Sequence, residues 1–276
     1  METVSITCVV ENTALRGLKA EHGAAFLVRA GEQQVLLDTG ASGVALLHNL
    51  QALGAHPNQV DAVVLSHSHP DHAGGLASLM GHLRRRIPLF AHPAIFNERF
   101  SKGEEGYAPR GMALPRERLE EWFDLQLSDQ PMAVAPSVHT TGEITSRPFL
   151  EGRSPHHYVR AERRYRPDPY QDDLSLVLET GSGMFVVCGC CHAGLTNTLA
   201  QVAEQHPDRP ICGVAGGTHL LETSGEALRQ VGDFLAQLPE VQLWLNHCTG
   251  SAALAYLQKR FGQAAHPLPA GASVIL

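Results

Sequence analysis

Residues 66–72 read Ser-His-Ser-His-Pro-Asp-His, and this stretch decides both the fold and the chemistry. The apolar run at 62–65, Ala-Val-Val-Leu, predicts a short strand that ends where the histidines begin. Two imidazoles two residues apart on an extended segment can face one ion. After the turn, Asp71 and His72 can face a second ion, so one loop is predicted to supply ligands to two metals.

A pattern of strand, polar loop and helix recurs on both sides of this stretch. Before it, an apolar run ends in Asp38-Thr-Gly and helical spacing follows. In the second half, three apolar runs end in loops that carry His192, His219 and His247, and each is followed by a predicted helix. This alternation predicts an α/β fold with histidines at the ends of several strands.

The middle of the chain departs from the pattern. From about residue 91 to 171 the periodicity weakens and prolines and glycines multiply, so we interpret 1–276 as one domain with an irregular insertion. Between 147 and 168, six arginines stand against three acidic residues, a local charge of +3. An arginine run is often a solvated face, but beside a metal site Arg163 and Arg164 would bind an anionic substrate. Asp173, just before the next strand, is a weaker candidate for the same substrate-binding surface.

Composition excludes several classes of protein. Of the residues, 43% are hydrophobic and 18% charged, which is typical of a folded globular chain. The net charge of −7 argues against nucleic acid as a partner. No apolar run is long enough for a membrane span, and the start, Met1-Glu-Thr-Val4, lacks the pattern of a leader, so we expect a cytoplasmic location and no membrane partner. Six cysteines are too few for a disulfide scaffold in this length, whereas sixteen histidines favour metal binding.

The His-x-His-x-Asp-His loop resembles the hallmark of the metallo-β-lactamase fold superfamily, and the resemblance extends over nearly the whole chain. It implies an αββα four-layer sandwich. Three further segments, 189–199 (GCCHAGLTNTL), 216–220 (GGTHL) and 246–250 (NHCTG), look like the branch of dihydropterin-methyl-ribofuranosyl-aminobenzene-phosphate synthase.

The resemblance also implies a ligand set. His67, His69, Asp71 and His72 match the hallmark, and His247 matches the final ligand, which would close the second ion site. The chain departs from the superfamily twice, because Glu143 stands where a mid-chain histidine is usual and the bridging aspartate position falls near Cys190. The compensating ligand is then predicted to be His192, although this histidine could instead cap the following helix, and Glu143 or Cys190 could share the role.

Two residues are predicted to act around the ligands. Asp38 would orient the metal-binding loop by accepting hydrogen bonds from it, or would simply cap the next helix. His219 would lie on the same rim as a substrate-facing catalytic histidine, or would be a satisfied core residue. Asp71 would orient the attacking nucleophile or take its proton.

The predicted function is a hydrolase with two divalent ions that acts on a small, anionic substrate, phosphorylated or pterin-like. Zinc suits the imidazole-rich set, whereas manganese or iron would follow if Glu143 joins it. One alternative is a pterin-condensing transferase that uses the same site. Another is a non-catalytic metal-binding protein. The sequence leaves the oligomeric state open.

Overall fold

The computed structural model describes residues 3–276. Met1 and Glu2, which belong to the segment used to predict the lack of a leader, lie outside the described residues. None of the helices that residues 3–276 form is both long and apolar enough to cross a membrane.

Strands and helices alternate along much of the described chain. The strands are β1 (Val4–Val10), β2 (Ala25–Ala30), β3 (Gln33–Leu37), β4 (Ala62–Val64), β5 (Ile87–Ala91), β6 (Arg99–Gly103), β7 (Gly106–Pro109), β8 (Phe123–Leu127), β9 (Ala133–Ala135), β10 (Val138–Thr140), β11 (His157–Ala161), β12 (Arg164–Pro167), β13 (Ser175–Thr180), β14 (Gly183–Cys188), β15 (Ile211–Gly217), β16 (Gln242–Asn246), β17 (Ala265–Pro267) and β18 (Ser273–Ile275). The α-helices are α1 (Val44–Ala52), α2 (Pro70–Ala73), α3 (Leu76–Met80), α4 (Arg116–Glu120), α5 (Leu195–Gln205), α6 (Gly225–Leu235) and α7 (Ser251–Phe261).

The strands form two large sheets and one small sheet. The first large sheet has the order β18-β1-β2-β3-β4-β5-β8, and the second has the order β17-β16-β15-β14-β13-β10-β9. Strands β3, β4, β5 and β8 pair in parallel, as do β14 to β17. The carboxyl ends of parallel strands share an edge, so the polar loops after β3 and β4 lie at one rim, and those after β14, β15 and β16 lie at another.

Side chains that alternate along the strands build three apolar cores. On β3, Val35 and Leu37 pack between the two large sheets, whereas Leu36 packs on the outer face with α1 and α3. On β14, Phe185 faces the inter-sheet core and Val186 faces the layer of α5, α6 and α7. Helices, sheet, sheet and helices therefore form four layers, which confirms the predicted αββα sandwich.

The stretch from 91 to 171 is more ordered than the sequence analysis expects. Strand β8 extends the first sheet, β9 and β10 extend the second, and β6, β7, β11 and β12 form a separate four-stranded sheet in the order β12-β11-β6-β7. The periodicity is weak here because most of these strands are short and largely exposed, so the apolar alternation of a half-buried strand is missing.

Candidate metal centre

Residues just after the carboxyl ends of strands in both large sheets carry an unusual backbone. Asp38, Cys191, His219 and His247 have φ values of 59, 61, 45 and 50. Residues other than glycine rarely adopt this left-handed conformation, and such strain persists where the surrounding structure enforces it, often at functional sites. The sequence gives no direct signal of this strain.

One candidate ligand group consists of His67, His69 and His192. All three are buried, and one ring nitrogen of each lies within 4.8 Å of the others. The Nε2 atoms of His67 and His192 are buried and have no hydrogen-bond partner among the described residues. A buried polar atom without a partner is costly, and a metal ion would supply the missing partner, so these residues fit a metal.

The other ring nitrogens of this group are held by hydrogen bonds. His67 Nδ1 donates to Ser66 Oγ at 2.9 Å, and His192 Nδ1 donates to the carbonyl of Gly152 at 3.1 Å. Gly152 has φ 86, and a Cβ there would lie 2.6 Å from the carbonyl oxygen of Cys191, so a larger residue would disturb this contact. Both rings are therefore oriented with Nε2 free for an ion.

The second candidate group consists of Asp71, His72 and His247. Asp71 Oδ2 lies 3.7 Å from His72 Nε2 and 3.4 Å from His247 Nε2, and the two Nε2 atoms are 3.2 Å apart. His247 Nδ1 donates to Asn12 Oδ1 at 3.3 Å. The set of one carboxylate and two imidazoles is one that divalent transition ions bind.

Asp38 is connected to both ligand groups by hydrogen bonds. Its carboxylate accepts hydrogen bonds from His72 Nδ1, from Ser66 N and from Ser66 Oγ, each at 2.7 Å. Because Ser66 Oγ also accepts from His67, one buried carboxylate orients a histidine in each group. Gly189 makes room for this arrangement, since a Cβ there would lie 2.1 Å from Ser66 Oγ. Asp38 therefore lies where it can orient the metal-binding loop, which is the role predicted for it from the sequence.

Burial and neighbouring charges shift the pKa values of the ligand side chains. Desolvation lowers the pKa of His67, His69 and His192, and the neighbouring histidines lower those of His67 and His192 further. Desolvation also acts on His72, but the carboxylates of Asp38 and Asp71 outweigh it and raise the pKa of His72 to about 9. The three histidines of the first group are neutral at pH 7, the form in which imidazole binds a metal.

Desolvation opposes ionisation of Asp71, but His72 and His247 outweigh it and lower the pKa of this carboxyl group well below its usual range. Asp71 is therefore an ionised carboxylate in the second group.

Cys190, Glu143 and Asp173 lie in three different surroundings. Cys190 is buried with its Sγ 3.1 Å from His72 Nε2, and it forms a further group of possible ligands with His67 and His72, so its predicted share in metal binding stays open. Glu143 instead contacts His92 Nε2 at 3.3 Å and belongs to neither ligand group. Asp173, predicted to bind substrate, is buried, does not line the main cavity and accepts a hydrogen bond from the backbone amide of Ala193 at 2.9 Å, so it supports the loop of His192 instead.

The structure does not bring Arg163 and Arg164 to the centre. Glu162 and Arg163 have φ values of 51 and 64, as in a type I′ turn, and they form the exposed tip of the β11–β12 hairpin. Neither arginine lines the cavity beside the ligand groups. The structure therefore gives no support to the prediction that Arg163 and Arg164 bind substrate, because both lie exposed at or beside this turn.

A buried arginine that no sequence motif indicates supports the metal-binding loop. Arg99 on β6 is buried and pairs with Asp168 at 2.9 Å and with Asp172 at 2.6 Å, and it donates to Ser68 Oγ at 2.8 Å. Asp172 also accepts from the backbone amide of Ser68 at 3.0 Å. This network joins the small sheet to residues 67–69. A lone arginine at the start of a weak strand gave no signal for it.

A cavity of about 610 Å³ opens over both groups. His69, Asp71, His192 and His247 line it on the ligand side, and His219 lines it without belonging to either group. Burial lowers the pKa of His219 to about 4, so its ring is neutral at pH 7. The opposite wall is apolar. It is formed by Leu221, Leu245, Leu254, Pro267, Leu268 and Pro269.

Cationic and basic side chains surround the mouth of the cavity. Arg110 and His157 come from the small sheet and its flanks, and His22 lies 3.4 Å from Asp71 Oδ2 with 75% of its side chain exposed. A second cavity of about 440 Å³ shares His157, His219 and Leu221 with the first and continues past Ser101, Lys102, Ser154 and His156. The sequence analysis did not single out Arg110, His22 or Lys102, since none of them belongs to a motif.

Comparison with known proteins agrees with this geometry. The family model described as "Metallo-beta-lactamase superfamily" matches residues 18–181. A relative from Methanocaldococcus jannaschii, named 7,8-dihydropterin-6-methyl-4-(beta-D-ribofuranosyl)-aminobenzene-5'-phosphate synthase, is 28% identical over 91% of this chain and 89% of its own length.

Two solved structures share the fold. Tm1679, described as a metal-dependent hydrolase of the beta-lactamase superfamily, superposes with a TM-score of 0.85 at 24% identity and covers 98% of each chain. Zn(2+)-bound PqqB from Methylobacterium extorquens superposes with a TM-score of 0.61 at 12% identity, covering 98% of this chain and 99% of its own. At these identities the likeness concerns the fold alone.

Proposed function

Because the chain belongs to the metallo-beta-lactamase superfamily, we propose that it is a metal-dependent hydrolase of a small anionic substrate. The observation that carries this proposal is the pair of ligand groups, His67–His69–His192 and Asp71–His72–His247, at the floor of one cavity. Each group would hold one divalent ion. Zinc suits the five imidazoles, and the separation of Glu143 from both groups removes the reason to prefer manganese or iron.

When bound, two divalent ions supply an activated water and polarise an oxygen of the substrate. The protein's own residues do the rest. Asp71 keeps one carboxylate oxygen directed at His72 and His247, so it can orient the nucleophile and accept its proton. His219 is neutral and lies on the cavity wall, where its ring can hydrogen-bond the substrate without adding charge.

The small sheet and its flanks supply the positive charge for an anionic substrate. Arg110 lines the main cavity, and Lys102 lines the adjoining one, which also includes Glu222. A phosphate or carboxylate placed there lies beyond His157, so the reactive bond of an elongated substrate would rest over the ligand groups. These residues replace Arg163 and Arg164 as the proposed anion-binding set.

A second candidate function is condensation of a pterin with an aminobenzene ribose phosphate. The name of the Methanocaldococcus jannaschii relative and the apolar wall around Leu254 and Leu268 favour it, because a flat ring system would pack against that wall. The same Lewis acidity would then stabilise a departing pyrophosphate rather than activate water.

One experiment distinguishes a hydrolase, a condensing enzyme and a non-catalytic metal-binding protein. The chelator-treated protein and the zinc-loaded protein are compared on 4-nitrophenyl phosphate, bis(4-nitrophenyl) phosphate and a neutral 4-nitrophenyl ester. A parallel reaction supplies a dihydropterin diphosphate with an aminobenzene ribose phosphate and measures pyrophosphate release. Zinc-dependent ester cleavage that disappears in His69→Ala supports the hydrolase, whereas pyrophosphate release that needs both substrates supports condensation. Zinc bound without any turnover on either set would contradict both.

A further inference from the structure

A third cluster of ligand atoms adjoins the second group. Cys190 Sγ, Cys248 Sγ and one ring nitrogen of His247 lie within 4.8 Å of one another, and all six cysteines are free thiols. Cys190 is buried, while Cys248 is partly exposed and lines the cavity together with Cys190 and His247. An ion that enters the cavity can therefore reach two thiols.

The position of Cys248 is built into the fold. Its Sγ accepts a hydrogen bond from the backbone amide of His219 at 3.2 Å and donates one to the carbonyl oxygen of Cys190 at 3.5 Å. Gly217 leaves the space for it, because a Cβ at that position would lie 2.7 Å from the sulfur. These contacts hold the sulfur in place beside Cys190 and the cavity.

His247 belongs to two ligand groups of different chemical character. With Asp71 and His72 it forms an oxygen and nitrogen set, and with Cys190 and Cys248 it forms a sulfur and nitrogen set. Thiolates favour soft ions, whereas carboxylates suit hard ions. Each ring nitrogen binds one ion, and the other nitrogen of His247 already contacts Asn12. The two groups therefore compete for the same histidine.

We propose that Cys190, His247 and Cys248 form a thiolate site for soft divalent ions such as Cd²⁺, and that its occupation withdraws His247 from Asp71 and His72. On binding, two S–H bonds break, two metal–sulfur bonds form and two protons pass to solvent, with no change of oxidation state. A hard ion such as Mn²⁺ takes the Asp71–His72–His247 group instead. The class of the ion thus decides which set His247 completes.

The test adds Cd²⁺ to the metal-free, reduced full-length protein and follows the thiolate-to-cadmium charge-transfer absorption in the ultraviolet. This readout is independent of turnover, so it stands whether or not the proposed hydrolase activity is found. The variants are Cys190→Ser and Cys248→Ser, with Cys212→Ser as the matched control. Cys212 is a partly exposed thiol on β15 that belongs to none of the ligand groups found in residues 3–276.

We expect the absorption per bound Cd²⁺ to fall by about half in each of the two site variants, with binding at least about 10-fold weaker, and to be unchanged in Cys212→Ser. Cys248→Ser is the more informative variant, because its partly exposed position tolerates the change better than that of buried Cys190. Circular dichroism checks that each variant is folded. Absorption equal to wild type in folded Cys248→Ser would overturn the proposal.

A competition arm tests the shared histidine. Mn²⁺ binding is followed by the electron paramagnetic resonance signal of free Mn²⁺, with and without Cd²⁺. Cd²⁺ should release Mn²⁺ from the wild-type protein but not from Cys248→Ser. Equal release of Mn²⁺ from both proteins would show that the ions compete without the thiol and would overturn the proposed competition.

Discussion

Replacing Asp38 with asparagine should weaken metal binding although Asp38 touches no ion. The buried carboxylate accepts three hydrogen bonds of 2.7 Å, from His72 Nδ1 and from the amide and hydroxyl of Ser66. Asparagine keeps one acceptor oxygen and turns the other into a donor. Because His72 Nδ1 and Ser66 Oγ both donate to Oδ2 and Ser66 N donates to Oδ1, either the first two donors or the backbone amide loses its acceptor. A hydrogen bond to a charged group contributes about 1.5–3 kcal/mol. This loss corresponds to roughly 10–100-fold in affinity, the range expected when the partner of a ligating histidine is removed.

The assay is competition for Zn²⁺ against a chromophoric chelator, which yields both the stoichiometry and the two dissociation constants. The weaker constant should rise by about 10–100-fold in Asp38→Asn. Asp61→Asn is the matched control, because Asp61 also accepts a backbone amide, that of Gln34 at 3.0 Å, but lies at the surface beside Arg85. If the two variants bind Zn²⁺ equally well, the positioning role of Asp38 is refuted.

Three further predictions follow from the same site. His67→Ala removes a ligand and, through Ser66, a contact to Asp38, so metal analysis by mass spectrometry should find most of the metal lost and assays should find almost no activity. Full occupancy in this variant would contradict the ligand assignment. Arg163→Ala with Arg164→Ala should leave KM and its salt dependence unchanged on phosphorylated esters, because both side chains are exposed at a hairpin tip; a selective rise in KM would restore them to the substrate site. Burial raises the pKa of Asp173 from 3.8 to about 7, so the folded state favours the protonated carboxyl group. The free energy of unfolding linked to this group is therefore highest below about pH 4 and falls as the pH rises to 7. In urea unfolding of the metal-free protein, the wild type should therefore lose on the order of 4 kcal/mol relative to Asp173→Asn between pH 4 and pH 8, and parallel profiles would show that Asp173 is not protonated in the fold.

The sequence predicts the ligand loop because its residues are neighbours in the chain. His67, His69, Asp71 and His72 follow one apolar strand, and their types and spacing are restrictive enough to be read without coordinates. His192 and His247 are predictable for a related reason, since each ends an apolar run and parallel strands deliver their carboxyl ends to a shared edge.

What the sequence does not predict is which distant residues support the loop. Arg99 reaches Ser68 across 31 positions, and Asp172 reaches the amide of the same serine across 104. Such pairs leave no periodic pattern, because they depend on how the small sheet packs against the large ones. For the same reason, the positive charge of residues 147–168 does not identify the residues that bind an anion. A count of arginines does not show that Arg163 lies in an exposed turn and Arg164 directly after it.

Anomalous X-ray scattering from crystals of the zinc-loaded protein, measured on both sides of the zinc absorption edge, tests the central claim most directly. The account predicts two zinc peaks on the floor of the main cavity. One should lie about 2.0–2.3 Å from ring nitrogens of His67, His69 and His192, and the other should lie within the same distance of His72 and His247. A crystal with no zinc peak at either group, or with zinc bound elsewhere while both groups stay empty, would contradict it.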